Sequence, residues 1–239
     1  MAHATPPLSY HGVIFDLDQT LLNTENLLFK AIYAALKKLT GKELTDDLAM
    51  QALGLPDKGP HSWPAKILEV TGCKDGKITP DMLFDSTDEM FSAVCEEADP
   101  MPGAKELVGE LHGCGIPLAI ATSSMRHHVL LKRKNHESTI FYAFPHIVCV
   151  EDVATPKPSP LPYVLAAERL GLSPSQCIAV EDSLCGMESA LRAGCFVVSL
   201  PDHRVAAQAS ELIQRLGGKG VVLESMLDLV GLEWKKYMI

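Results

Sequence analysis

No stretch of the 239-residue chain approaches the roughly 20 uninterrupted apolar residues of a membrane-spanning helix, which excludes a transmembrane role. Met1 to Tyr10 also lacks the charged and apolar regions of a secretory signal. There is no internal repeat and no C-x-x-C pair. The seven cysteines are odd in number, so neither a disulfide framework nor a zinc site is expected. Basic residues are outnumbered, 21 Lys+Arg against 30 Asp+Glu, and the formal charge of −9 excludes broad electrostatic binding to nucleic acid or anionic lipid. The one basic run, Arg126 to Lys134, is too short to reverse this. The absences leave the expectation of a cytoplasmic protein with free thiols and no nucleic-acid or membrane partner; a monomer or weak homodimer is expected, a state that the absences themselves do not determine.

What is present is an alternation of short apolar runs with helical patterns, the signature of an α/β fold with a parallel, Rossmann-like sheet covered by helices. Strands are expected at Gly12 to Phe15, Ile116 to Ala121, His146 to Val150, Cys177 to Val180 and Phe196 to Leu200. Several are continuously apolar, as strands buried on both faces are. Helices are expected at Gly103 to Gly113, Leu161 to Leu170, Ser183 to Ala193 and Ala206 to Leu216, each ending at or near a glycine.

Residues 23–98 break the alternation. They carry helical periodicity and turns only, near Glu25 to Leu39, Asp46 to Leu53, Pro64 to Val70 and Pro80 to Glu97. This reads as an all-helical insertion into a core made of residues 1–22 and 99–239. The stiff segment Asp99 to Gly103 leads back to the core, beside the short outward connector Leu21 to Thr24. Two adjacent connectors suit a hinge.

Ligands of open α/β sheets bind beyond the carboxyl ends of the strands. Four apolar runs end in reactive groups. Val13-Ile14-Phe15 leads to Asp16-Leu17-Asp18-Gln19-Thr20, and Leu118 to Ala121 leads to Thr122-Ser123-Ser124. Ile147 to Val150 leads to a loop with Lys157-Pro158, and Ile178 to Val180 leads to Glu181-Asp182-Ser183. Any one of these has an ordinary explanation as a turn or helix cap, but their coincidence at one sheet edge points to a site. Clustered Asp16, Asp18, Glu181 and Asp182 would repel one another without a cation, and oxygen ligands suit Mg²⁺. A carboxylate beside Mg²⁺ can attack phosphorus, while the metal, Lys157 and the Thr122 hydroxyl stabilise the transferring phosphoryl group.

In order and strand context these motifs resemble the four motifs of the haloacid dehalogenase (HAD) superfamily, whose members are mostly phosphatases. The helical insertion after the first motif is similar to the cap of the branch that holds β-phosphoglucomutase and the pseudouridine 5′-phosphatase group. The resemblance implies that Asp16 is the nucleophile and carries an aspartyl-phosphate. It implies that Asp18 protonates the leaving group and then activates water, and that Asp16, the Asp18 carbonyl and Asp182 hold Mg²⁺. Thr122, Ser123 and Lys157 would bind the phosphate, with Glu181 and Thr20 behind the metal ligands. The implied substrate is a small phosphate monoester: a sugar phosphate, a nucleoside phosphate such as pseudouridine 5′-phosphate, or a polyol phosphate such as glycerol phosphate.

Relatives most often carry glycine between the second aspartate and the threonine, where this chain has Gln19. If φ is positive there, a side chain costs about 1 to 2 kcal/mol. In capped relatives a loop of the insertion projects into the site; here it corresponds to Gly54 to His61, with Lys58 and His61 as the substrate-contact candidates. Two other functions fit such a frame. One is a phosphomutase of the β-phosphoglucomutase type, the other a catalytically silent binding protein. Cys185, beside the fourth motif, reads as a buried inert thiol.

Overall fold

The computed structural model describes residues 10–52, 62–73, 76–217 and 219–234. Their contacts divide into two compact units, one built from the chain up to Asn23 and from Asp99 onward, the other from Thr24–Ala98. In chain order the elements are β1 (Gly12–Phe15), β2 (Leu22–Asn23), α1 (Glu25–Thr40), α2 (Asp46–Met50), α3 (Trp63–Val70), α4 (Pro80–Ser92), β3 (Asp99–Pro100), α5 (Ala104–Gly113) and β4 (Leu118–Ala121). They continue as α6 (Arg126–His136), β5 (His146–Val148), α7 (Leu161–Arg169), β6 (Cys177–Glu181), α8 (Leu184–Ala193), β7 (Phe196–Ser199), α9 (Ala206–Arg215) and β8 (Gly220–Val222).

The discontinuous unit holds a parallel six-stranded sheet in the order β5-β4-β1-β6-β7-β8. β1 lies inside it, with Ile14 in register between Ala119 of β4 and Ala179 of β6. β4 and β5 lie on one side of β1 and β6 to β8 on the other, so the winding reverses there. That reversal opens a crevice at the carboxyl end of β1. Val13, Ile14 and Phe15 are all buried, as a strand covered on both faces requires. Alanines on both neighbouring strands and on two covering helices, among them Ala119, Ala179, Ala166 of α7 and Ala190 of α8, let the helices pack closely on the sheet.

The helix termini follow local rules. α8 starts at Ser183, whose Oγ accepts the Gly186 N–H at 3.0 Å, and stops at Gly194, whose φ of 100° favours glycine. In the second unit α4 starts at Thr79, which accepts the Met82 N–H, with Pro80 in its first turn. That unit's core gathers Ile32, Ala35 and Leu36 of α1, Ile67 of α3 and Leu83 of α4.

The structure departs from the sequence reading in particular places. β8 was not expected. The two connectors, read as irregular, pair antiparallel as β2 and β3, with Leu22 opposite Pro100. Proline tolerates this because a two-residue edge ribbon does not require its missing N–H. α4 stops at Ser92 and is followed by a tighter turn at Cys95–Glu97, where a single longer helix was expected. α6 was not expected either, because its buried positions are His128, Val129, Lys132 and His136, only one of them apolar. None of the seven cysteines forms a disulfide, and no helix among the described residues is long and apolar enough to cross a membrane.

Candidate active site

Asp16 stands directly after β1. Its backbone N–H donates to the Val180 carbonyl of β6 at 2.9 Å, which anchors the start of the loop to the sheet. The loop then turns back tightly. The N–H groups of Leu21 and Leu22 both donate to the Leu17 carbonyl, and that of Gln19 donates to the Leu22 carbonyl. The turn forces a φ of 61° on Gln19, the one non-glycine residue with positive φ among the described residues. The backbone therefore has the shape for which glycine is the unstrained residue, and Gln19 bears that strain.

Lys157, almost wholly buried, reaches the same strand end. Its Nζ donates to Asp16 Oδ1 at 2.7 Å and to Glu181 Oε1 at 2.6 Å. Glu181 is fully buried at the end of β6 and is held at both oxygens. Oε1 also accepts the Tyr163 hydroxyl at 3.1 Å, and Oε2 accepts the Ser183 N–H and hydroxyl at 2.9 and 3.0 Å. Both oxygens are thus engaged by protein donors, which makes Glu181 the support of Lys157. The absence of a side chain at Gly186 makes room for this carboxylate: a Cβ there would overlap it.

Asp182 accepts the Thr20 hydroxyl at 3.0 Å. Thr122, buried at the end of β4, accepts the Ser124 N–H through its Oγ1 at 3.0 Å, so its own proton can be donated elsewhere. Ser123 follows it and is exposed. Asp18 is gripped at both oxygens: Lys132 Nζ donates to Oδ1 at 2.5 Å and the Ser124 hydroxyl to Oδ2 at 2.6 Å.

The electrostatics are those of an acidic cluster with too few cations. Burial, with Glu181 and Asp18 adding to it, pushes Asp16 up to about 7 against the opposing pull of Lys157. Asp182 rises well above the ordinary aspartate range for the same reasons, burial first and then Glu181 and Asp16. Burial works against the charge on Lys157, but Asp16 and Glu181 more than offset it and hold the ammonium above its usual value. All three shift the same way, because surrounding negative charge favours the protonated form of a carboxyl and of an ammonium alike.

Residues 13–200 match the haloacid dehalogenase-like hydrolase family. The chain belongs to that family. The hydrolase is 31% identical over 204 residues to a Drosophila melanogaster protein named "Probable pseudouridine-5'-phosphatase", covering 82% of this chain and 83% of the relative. It is 30% identical over 228 residues to (DL)-glycerol-3-phosphatase 2 of Arabidopsis thaliana, covering 93% and 90%. A crystal structure of a Thermotoga maritima protein provisionally named a β-phosphoglucomutase superposes with a TM-score of 0.71 at 25% identity, covering 94% of this chain and 99% of the other. The hydrolase is a phosphatase of this family.

The donor set fits a hard divalent cation. Asp16, Asp18, Glu181 and Asp182 face two ammonium groups, Lys132 and Lys157, so the cluster is short of two positive charges. Asp182 takes a neutral hydroxyl where the other carboxylates take a lysine. Both facts suit Mg²⁺, which prefers a few carboxylate oxygens with room left for water and phosphate. Cys185, read from sequence as buried, is only partly so; burial and Glu181 push its thiol up, which disfavours the thiolate.

Asp16, Lys157 and Glu181 come together directly, as do Thr20 and Asp182. Lys58 and His61 lie outside the described residues. Four contributors were not anticipated from sequence, the first of them Tyr163, which lies among the apolar residues of α7. Gly186 showed no signal beyond a glycine near a helix start. Ser124 lies in the segment after β4, where Thr122 and Ser123 are the residues that the family motif marks. Lys132 sat inside a basic run that resembles a solvated helix face, and only its four-residue spacing from His128 and His136 marks it as inward-facing.

Proposed function

We propose that the hydrolase cleaves phosphate monoesters of small soluble alcohols with Mg²⁺, through an aspartyl-phosphate on Asp16. The observation that carries this is the Asp16 carboxylate at the end of β1, 7% exposed and held by Lys157, with a second carboxylate two residues away on independent supports.

Asp16 attacks phosphorus, forming a P–O bond as the ester P–O bond breaks. The departing alkoxide takes a proton from Asp18. Asp18, now ionised, takes a proton from water as the water oxygen attacks the phosphoryl group, which releases inorganic phosphate and restores Asp16. Lys157 balances charge at the Asp16 oxygen throughout. Thr122 and Ser123 donate to phosphoryl oxygens. Asp16, the Asp18 carbonyl and Asp182, with Thr20 behind it, would hold Mg²⁺, which supplies neutralisation of the phosphoryl oxygens. The named activities of the relatives support a nucleoside or polyol phosphate as substrate. Lys58 and His61 are assigned to the leaving group; Lys58→Ala should reorder the preference among substrates, whereas an equal loss on all would contradict that role. A cytoplasmic setting belongs to the same reading and is supported by cysteines that form no disulfide.

The test is inorganic phosphate release from sugar, nucleoside, polyol and amino-acid phosphates, with Mg²⁺ or with chelator, beside Asp16→Asn. Release that needs both Mg²⁺ and Asp16 is expected. Silence across the panel, or release that survives Asp16→Asn, would overturn the proposal. Conversion of β-glucose 1-phosphate to glucose 6-phosphate without net release would replace hydrolysis by mutase chemistry.

A further inference from the structure

Lys132 is 0% exposed and is among the largest fully buried side chains of the protein. A buried ammonium costs several kcal/mol unless it is paired, and even a paired one is often no more stabilising than an apolar residue of the same shape. Methionine at this position would satisfy packing alone. The lysine instead places its Nζ 2.5 Å from Asp18 Oδ1 and 2.9 Å from Ser124 Oγ, and the same serine hydroxyl donates to Asp18 Oδ2 at 2.6 Å.

The asymmetry of burial matters. The Asp18 side chain is 29% exposed, so water could solvate its charge without help from a lysine. Lys132 does not rescue a stranded carboxylate. What it adds, with Ser124, is orientation: donors on both oxygens fix rotation about the Cβ–Cγ bond. The clamp is itself rigid. Ser124 is tied through its backbone N–H to Thr122 Oγ1, and Lys132 rises from α6, whose inward face also carries His128, Val129 and His136.

We infer that Lys132 is a positioning residue for Asp18 and that it acts together with Ser124. This rests on the reading of Asp18 as the acid and base of phosphate ester hydrolysis. Steps that need a proton moved at the Asp18 carboxylate depend on the clamp, and steps that do not are indifferent to it. Misplacing a catalytic group by a small distance can cost as much as removing it.

Lys132→Met separates the two kinds of step. With glycerol phosphate the alkoxide needs a proton to leave, so kcat should fall about tenfold or more with KM little changed. With p-nitrophenyl phosphate the phenolate leaves unaided. The first turnover should then keep close to its wild-type rate and appear as a burst of p-nitrophenol near one per active site, followed by slow turnover as water activation fails. Ser124→Ala, which leaves the lysine in place, should show the same selectivity with a smaller loss. It decides the question if Lys132→Met does not fold. Equal losses on the first turnover of both substrates would reduce Lys132 to packing, and no loss on either would remove it from the reaction; each result overturns the inference. Failure of the underlying reading looks different, because wild-type protein would then release no phosphate in a manner dependent on Mg²⁺ and Asp16.

Discussion

Gly186→Ala tests the buried support of the site through a change that carries no charge. In an ordinary helix the substitution stabilises, because alanine exceeds glycine in helix propensity by about 1 kcal/mol. Here the added Cβ would sit 2.5 Å from Glu181 Oε2 and closer still to Oε1 and the carboxyl carbon. Glu181 has no space to retreat into, being fully buried with Lys157, Tyr163 and Ser183 on its oxygens. Displacing it separates a buried ion pair, which costs about 3–5 kcal/mol. Subtracting the propensity gain leaves about 2–4 kcal/mol of destabilisation. For a chain of this size that is a fall of about 4–16 °C in Tm. Urea unfolding followed by circular dichroism gives the free energy, and phosphate release gives the activity, which should fall because Lys157 loses its second anchor. A variant as stable as the parent or more so, with full activity, would refute the reasoning.

The other predictions concern the acidic cluster and the first loop. Asp16 and Asp182 are raised in the folded protein without metal, so that state binds more protons than the unfolded chain between the ordinary value of 3.8 and about 7. Stability of the metal-free protein should therefore fall as pH rises through that window, and the gain in Tm on adding Mg²⁺ should grow over the same range; thermal melts with Mg²⁺ or chelator would expose the opposite trend. Thr20→Val removes the hydroxyl on Asp182 and should weaken Mg²⁺ binding about tenfold or more in a calorimetric titration, with unchanged affinity as the contrary result. Gln19→Gly relieves the positive φ but frees the unfolded chain, so it should stabilise by no more than about 1 kcal/mol in denaturant unfolding. A marked loss would show that the Gln19 side chain matters more than its backbone strain.

The sheet was legible because each central strand is a short, continuously apolar run, and a buried parallel strand has little choice but to be one. Reactive residues follow those runs at once, so the position of Asp16, Thr122 and Glu181 at one edge could be read before any coordinate. Hydrophobic periodicity failed where the inward face was polar. α6 turns two histidines and a lysine toward the interior, and hydrophobicity does not separate Lys132 from its neighbours Lys134 and Arg133; only its four-residue spacing from His128 and His136 does. It failed again at β8, whose three residues are only half-buried, and at β3, where proline argues locally against a strand. The role of Gly186 was hidden for another reason. A close approach between a helix backbone and a carboxylate five residues earlier depends on how the turn at Asp182 and Ser183 is folded, and composition carries no trace of it.

The central claim, that Asp16 carries the phosphoryl group, is tested most directly by acid-quenching the enzyme with radiolabelled glycerol phosphate and Mg²⁺. The account predicts label on the peptide that contains Asp16, released by hydroxylamine as an acyl-phosphate is, and absent from Asp16→Asn. Phosphate release with no label on the protein, undiminished in Asp16→Asn, would contradict it.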